Sequence, residues 1–385
     1  MNIEPFVVNI SESVINDLKS RLIQTRWPDE IDESGWDYGA NLGYIKELVD
    51  YWVNEFDWDR QQEAINKFQH FKADTGDLAI HFIHEKGRGP SPFPIIITHG
   101  WPSSSLEMVK LIPFLTDPAS HGGDPSDSFD VIAPSLPGYG FSGRPQKPGM
   151  NVAHISDIWN RIMTQGLKYT RYGAAGGDWG ATVTARMGYD FAKHITGIHV
   201  TSISGVSPYL GEGSRGLSES EIALAEERNT WTQNEGGYFH IQATKPQTLG
   251  YGLNDSPAGL AAWIVEKFRA WSDCGGVLEN SFSKDELLTN VTMYWATQTI
   301  NSSSRLYYEG LHTPWRISAN DRINVPSAIC QFPKELSHPP REWAERTFNV
   351  QRWTEMPKGG HFAASEEPEL LANDIKEFFR PLRHD

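Results

Sequence analysis

The chain has 385 residues, a formal charge of −15 at pH 7, and 14 Trp, 13 Tyr and 18 Phe. That length suits one large domain with insertions or two domains sharing a core, and an acidic balance with no basic cluster argues against a nucleic-acid partner. Two cysteines, Cys274 and Cys330, make no disulfide framework, residues 1–25 lack the charged start and apolar run of a signal peptide, and no stretch nears the roughly 20 apolar residues of a membrane span. A soluble protein of the reducing cytoplasm is expected.

Val14, Ile15, Leu18, Leu22 and Ile23 recur at helical spacing, as do Tyr44, Leu48, Tyr51 and Trp52. Leu78, Ile80 and Phe82 alternate as in a strand before the break at Gly87-Arg88-Gly89-Pro90. Phe93 to Thr98 reads as a buried parallel strand ending at His99-Gly100-Trp101-Pro102, with a helix pattern through Leu106, Val109, Leu111 and Leu115 after it. Asp130 to Ala133 is the next strand, Ile155, Ile158, Trp159 and Ile162 the next helix, and Ile195 to Val200 a further strand. Such alternation predicts a mostly parallel α/β sheet. From about 208 to 315 the periodicity is helical, punctuated by the cap Ser256-Pro257 and the capping box Ser283/Glu286. Strand patterns return at Val325 to Phe332 and around Asn349 to Trp353, and a helix through Leu370, Leu371, Ile375 and Phe378 closes the chain. The helical block reads as an insertion over the ligand-binding edge of the sheet.

Between the second crossover helix and the strand at Ile195 lies Gly176-Gly177-Asp178-Trp179-Gly180. It has the small-x-nucleophile-x-small spacing of a nucleophile elbow, with aspartate where Ser or Cys is usual. Small residues must flank the nucleophile because the chain turns sharply from strand to helix. A serine attacking saturated carbon would leave a stable ether, whereas a carboxylate leaves an ester that water can cleave. Asp178 therefore points to an electrophilic sp3 carbon, such as an epoxide or an alkyl halide.

In the α/β-hydrolase fold the acid and then the histidine follow the nucleophile. Of the late histidines, His338 precedes two prolines and His384 lies in the tail, while His361 sits in the turn Gly359-Gly360-His361-Phe362. Thr201 to Val206 holds no carboxylate, so Glu335, just after the strand ending at Phe332, is the candidate acid. Its role would be to fix the imidazole tautomer and stabilise the imidazolium, with His361 as general base. The backbone N–H groups of Trp101 and Trp179 are placed to hold an oxyanion during ester hydrolysis. His81, His84 and the His121-Gly122-Gly123-Asp124 loop lack a metal-ligand set, and no cofactor or metal is expected.

At these residues the chain resembles the epoxide hydrolases of the microsomal type, over nearly its whole length. The His99–Pro102 loop, Gly176–Gly180 and Gly359–Phe362 match that family's core motifs, and Trp27-Pro28 its N-terminal segment. Gly237-Tyr238-Phe239-His240-Ile241-Gln242, Thr244-Lys245-Pro246-Gln247-Thr248, Asp255-Ser256-Pro257 and Ser302-Ser303-Ser304-Arg305-Leu306-Tyr307-Tyr308-Glu309 match its cap. The resemblance implies lid tyrosines at Tyr238 and Tyr307 that hydrogen-bond the epoxide oxygen, with Tyr308 one residue away from the second position. It also implies a cis Trp101–Pro102 bond and a homodimer. Membrane-bound relatives carry an N-terminal anchor; this chain starts at Met1-Asn2-Ile3-Glu4-Pro5, which favours a soluble form.

The expectation is an α/β-hydrolase with an N-terminal wrapping segment at 1–92, core at 93–207 and 316–385, and a helical cap at 208–315. It would convert an epoxide and water to a vicinal diol through an Asp178 ester. A haloalkane dehalogenase using the same aspartate is the alternative enzyme, although it needs halide donors rather than a tyrosine pair. A catalytically idle interaction protein is disfavoured by the full set of nucleophile, acid, base and donors. The particular epoxide, its stereochemistry and the metabolic role (detoxification or biosynthesis) leave no trace in the sequence.

Overall fold

The computed structural model describes residues 1–319 and 321–383. Its strands are β1 (Asn2–Phe6), β2 (His70–Asp74), β3 (Ala79–Glu85), β4 (Phe93–Thr98), β5 (Phe129–Pro134), β6 (Tyr172–Gly176), β7 (Ile195–Val200), β8 (Ile323–Gln331) and β9 (Phe348–Glu355). They form one sheet in the order β1-β2-β3-β5-β4-β6-β7-β8-β9. The β5-to-β9 portion is parallel, while β1, β2 and β3 add to its β5 edge as an antiparallel meander.

Around the sheet run α1 (Glu12–Ile23), α2 (Leu42–Asn54), α3 (Trp58–Ile65), α4 (Ile112–Thr116), α5 (Val152–Arg161) and α6 (Asp178–Asp190). Between β7 and β8 come α7 (Glu219–Glu235), α8 (Gly237–Thr244), α9 (Pro246–Asp255), α10 (Pro257–Trp271), α11 (Lys284–Ala296) and α12 (Ile300–His312). The chain closes with α13 (Arg341–Glu345), α14 (Ala363–Glu366) and α15 (Pro368–Phe379). Successive strand residues point to opposite faces, so the apolar run at 93–97 in β4 serves two cores. Ile95 and Ile97 join α4 and α15 on one face, and Ile96 joins α5 and α6 on the other. None of the described helices is long and apolar enough to cross a membrane.

Two elements differ from the sequence pattern. The periodic stretch Leu106–Leu115 is a 3-10 turn at Ser105–Val109 followed by α4, not one helix. Pro113 accounts for the break, since it lacks the amide a continuous helix needs and fits only in a first turn. The strands β1 and β2 leave little sequence signal because each is five residues long and carries charges such as Glu4 and Lys72. Pro5 is accommodated because β1 is the edge strand.

The helices α7–α12 are held from two sides. The N-terminal helices α1–α3 pack on α10 and α11, where the buried Trp52 indole donates to Thr292 Oγ1 at 3.0 Å. At the other end, the Glu221 carboxylate at the start of α7 is fully buried and takes a bidentate pair from Arg346, Nε to Oε1 at 2.6 Å and Nη2 to Oε2 at 2.7 Å. Arg215 and the Ser218 amide complete its shell. The hydrogen bond from Arg346 is the main reason the Glu221 carboxyl is held down to about 2. Removing one member of a buried pair strands the other charge, so Glu221→Ala should cost about 3–5 kcal/mol in urea unfolding. The folded carboxyl titrates below the unfolded one, so its contribution is complete above pH of about 4.3 and fades as pH falls toward 2. Glu221→Gln should flatten that acid limb, and an unchanged limb would show that the pair does not anchor α7.

Candidate active site

Asp178 is the first residue of α6 and has φ +51°. A non-glycine residue in the left-handed region costs roughly 1–3 kcal/mol, which the surrounding packing must offset. The packing is tight enough to do so. A Cβ on Gly180 would collide with the Thr98 carbonyl oxygen, and one on Gly100 with the Asp178 side chain. The N-terminus of α6 is thereby pressed against the end of β4, and the Trp101 amide donates to Asp178 Oδ1 at 2.8 Å. Burial raises the Asp178 carboxyl from its ordinary value, opposed by His361 and by the amides of Trp101 and Trp179. The positive end of the α6 dipole also favours the carboxylate. The Trp101–Pro102 bond is cis.

Glu335 and His361 meet because their two segments are joined through the backbone. The Lys334 amide donates to the Gly359 carbonyl at 3.1 Å, Lys334 and Gly360 form a parallel bridge, and Gly359 turns with φ +102°. The result is a buried pair, His361 Nδ1 to Glu335 Oε1 at 2.7 Å. The Leu336 amide also donates to that oxygen at 2.7 Å. His361 Nε2 faces Asp178 Oδ2 at 3.6 Å. Burial alone would lower the imidazole's pKa, but Glu335, Asp178 and Glu107 outweigh it and push His361 up to about 9.

Above the carboxylate, the Tyr238 ring stacks on Trp101 with centroids 5.3 Å apart. Tyr307 stands edge-on to Trp179 at 5.0 Å and to Tyr238 at 5.9 Å. The Tyr307 hydroxyl is buried without a protein partner. Burial, followed by the Asp178 charge for Tyr238 and by Tyr238 and Asp178 for Tyr307, raises both phenols above their usual value. Both therefore remain protonated donors at neutral pH. Tyr308 points elsewhere: it is 39% exposed and stacks on His312. His338 is displaced from the pocket, 3.5 Å from Glu227, and His384 lies outside the described residues.

Asp178, Trp179, Tyr238, Tyr307, Glu335 and His361 thus share the lining of one pocket of about 270 Å3. Trp101 reaches it through its amide on Asp178. Three charged residues near this centre, Glu107, Glu366 and Arg228, escape sequence reasoning. Glu107 accepts from Ser103 Oγ at 2.5 Å, and burial raises its carboxyl to about 7 although His361 counteracts. Its position five residues after Pro102 is the only sequence signal. Arg228, on the polar helix α7, joins the pocket lining with Trp231 and Phe239, and nothing in the local pattern distinguishes it from a solvated arginine.

Among the described residues, His199, Cys330 and Asp374 have the spacing of metal ligands. The carboxylate there is already engaged, however. Asp374 takes His199 Nε2 at 2.8 Å on one oxygen and both Arg352 and Thr354 on the other. A guanidinium in contact with the carboxylate disfavours a second cation, so the cluster fits a buried polar network.

The profile described as "Epoxide hydrolase N terminus" matches residues 3–108 and that of the "alpha/beta hydrolase fold" matches 94–217. "Epoxide hydrolase 1" of Oryctolagus cuniculus is 40% identical over 98% of this chain and 88% of its own. The crystal structure of juvenile hormone epoxide hydrolase from the silkworm Bombyx mori superposes with a TM-score of 0.88 at 32% identity, covering 100% of this chain and 95% of that one. The Aspergillus niger epoxide hydrolase gives 0.85 at 26% identity, covering 99% and 97%.

The electrostatics give a direct test. In an NMR titration the His361 imidazole should titrate near pH 9. Glu335→Gln removes the principal opposing charge and should bring the midpoint down by a unit or more, that is by about 1.4 kcal/mol or more. A midpoint unmoved by that substitution would mean that Glu335 does not set the charge of the imidazole.

Proposed function

The chain belongs to the epoxide hydrolase family and is a hydrolase of the α/β-hydrolase fold; from that premise we propose that it opens epoxides through a covalent ester on Asp178. The observation that carries this reading is the shared pocket, in which a buried carboxylate lies opposite two protonated phenols and beside a paired imidazole.

An epoxide seated between Tyr238 and Tyr307 presents a ring carbon to Asp178. As the carboxylate oxygen bonds to that carbon, the C–O bond of the ring breaks and the phenols donate to the developing alkoxide. The alkoxide takes one proton, which His361 supplies to the pocket as an imidazolium with its raised pKa. Esterification cancels the Asp178 charge, one of the groups that raised the imidazole pKa. His361 is then neutral and able to act as base. It takes a proton from water as that water adds to the ester carbonyl. The Trp101 and Trp179 amides stabilise the tetrahedral oxyanion, and collapse releases the diol and restores the carboxylate and the imidazolium. Each cycle consumes one epoxide and one water, and the protons balance.

In this reading residues 93–207 and 316–385 form the catalytic core and 208–315 the cap that carries the tyrosines. Residues 1–92 are an N-terminal segment that packs on the core, extending its sheet with β1–β3 and bracing the cap with α1–α3. A cytoplasmic location and a homodimer belong to the same proposal; the first follows from cysteine usage and composition, the second from resemblance alone.

In the His361→Gln variant ring opening can draw its proton from solvent, but ester hydrolysis loses its base, an effect of about 10²–10⁴. Intact-protein mass spectrometry after mixing with styrene oxide should therefore show an adduct heavier by one epoxide, located by digestion at Asp178. Adding Tyr238→Phe and Tyr307→Phe to that variant should abolish adduct formation. An unmodified His361→Gln protein, or an adduct on another residue, would overturn the ester mechanism.

A further inference from the structure

The wall of the Asp178 pocket contains one cation without a counter-ion. Arg228 projects from α7, and its Nε donates to Ser337 Oγ at 3.1 Å. Its Cζ lies over the Trp343 ring, 5.5 Å from the centroid. These contacts fix the plane of the guanidinium but leave its two terminal nitrogens unused. Nη2 is buried with no hydrogen-bond partner, and no carboxylate among the described residues lies within ion-pair distance of Arg228. Burial pulls its pKa down from the ordinary value, with the Glu227 charge opposing.

A guanidinium in this state is costly: a buried N–H without an acceptor loses its water and gains nothing in return. Two other guanidiniums are satisfied. Arg346 is paired bidentately with Glu221, and Arg352 with Asp374 and Glu377. Arg228 differs from these in lining the pocket that also holds Asp178, Tyr238 and Tyr307. Aromatic and hydroxyl-bearing residues, among them Trp179, Trp231, Phe239, Thr182 and Ser204, make up much of the remaining lining. With Asp178 and Glu335 acidic and His361 and Arg228 basic, the lining is close to neutral.

We infer that Arg228 is a specificity-determining residue whose open terminal nitrogen, Nη1, receives a carboxylate of the substrate, making epoxides that bear a carboxylate the preferred substrate class. A guanidinium N–H to a carboxylate is a charge-assisted hydrogen bond, stronger than a neutral one. With Ser337 and Trp343 already holding the plane, little freedom is lost on binding. The aromatic walls would hold the apolar part of the molecule between the carboxylate and the oxirane. This rests on the ester mechanism proposed above, but concerns only which epoxides are admitted to it.

The test compares styrene oxide with its analogue carrying a para ring carboxylate. The wild-type enzyme should favour the acid in kcat/KM by about tenfold or more, the size expected of hydrogen bonds to a charged group. Arg228→Met keeps the bulk over Trp343 and removes the donors. It should abolish the preference, chiefly by raising KM for the acid, while styrene oxide changes by less than about twofold because its transition state never uses the guanidinium. Arg228→Lys should retain part of the preference as a single donor. A wild-type enzyme indifferent to the carboxylate would overturn the inference. So would an Arg228→Met variant that loses both substrates in parallel, which would make Arg228 a structural residue. Failure of the wild type to turn over either epoxide would instead count against the proposed function.

Discussion

The N-terminus of α6 is wedged against the end of β4, and the arrangement of the whole site depends on that contact. Gly180 lies so close to the Thr98 carbonyl that no side chain fits. This proximity places Asp178 at the Trp101 amide with a left-handed backbone. The strained conformation is affordable only because β4 and β6 are adjacent central strands, buried on both faces. From that fixed carboxylate the other groups take their positions: the imidazole from the β9 side, the phenols from the helices above, and the amides from the β4 loop. Rigidity here serves chemistry, since donors that need not reorganise stabilise developing charge most effectively.

The second determinant is electrostatic. Four carboxylates, those of Asp178, Glu335, Glu107 and Glu366, surround one imidazole. His361 responds by holding its proton up to about 9, while Glu107 and Glu366 are both raised to about 7, mainly by burial. The proposed cycle uses this balance. Neutralising Asp178 by esterification lowers the field at His361, so the same residue is an acid before the ester forms and a base after it. No movement of the protein is required for that change.

Much of this was legible in the sequence because it is written locally. An elbow needs small residues around its nucleophile, a catalytic turn needs the glycines before His361, and the strand and helix periods place both at strand ends. Glu335 was recoverable from its position after a strand and from the lack of any carboxylate in Thr201–Val206. Choosing Tyr307 over Tyr308 needed the phase of α12, which turns one phenol into the pocket and the other to solvent. Glu107 and Arg228 were not recoverable. Their surroundings are assembled from distant segments, and a charged residue on a polar helix looks the same in sequence whether or not it faces a cavity. The antiparallel meander at the sheet edge was hidden for a similar reason, because short strands with one wet face carry little apolar signal.

The central claim is that the oxygen delivered to the diol passes through Asp178. It is tested most directly by a single turnover in oxygen-18 water, with enzyme in excess over a simple aryl epoxide. The account predicts that the first diol carries unlabelled oxygen from the carboxylate and that the label is then found in Asp178 on peptide mass spectrometry. Label appearing in the diol during that first turnover, with Asp178 unlabelled, would contradict it.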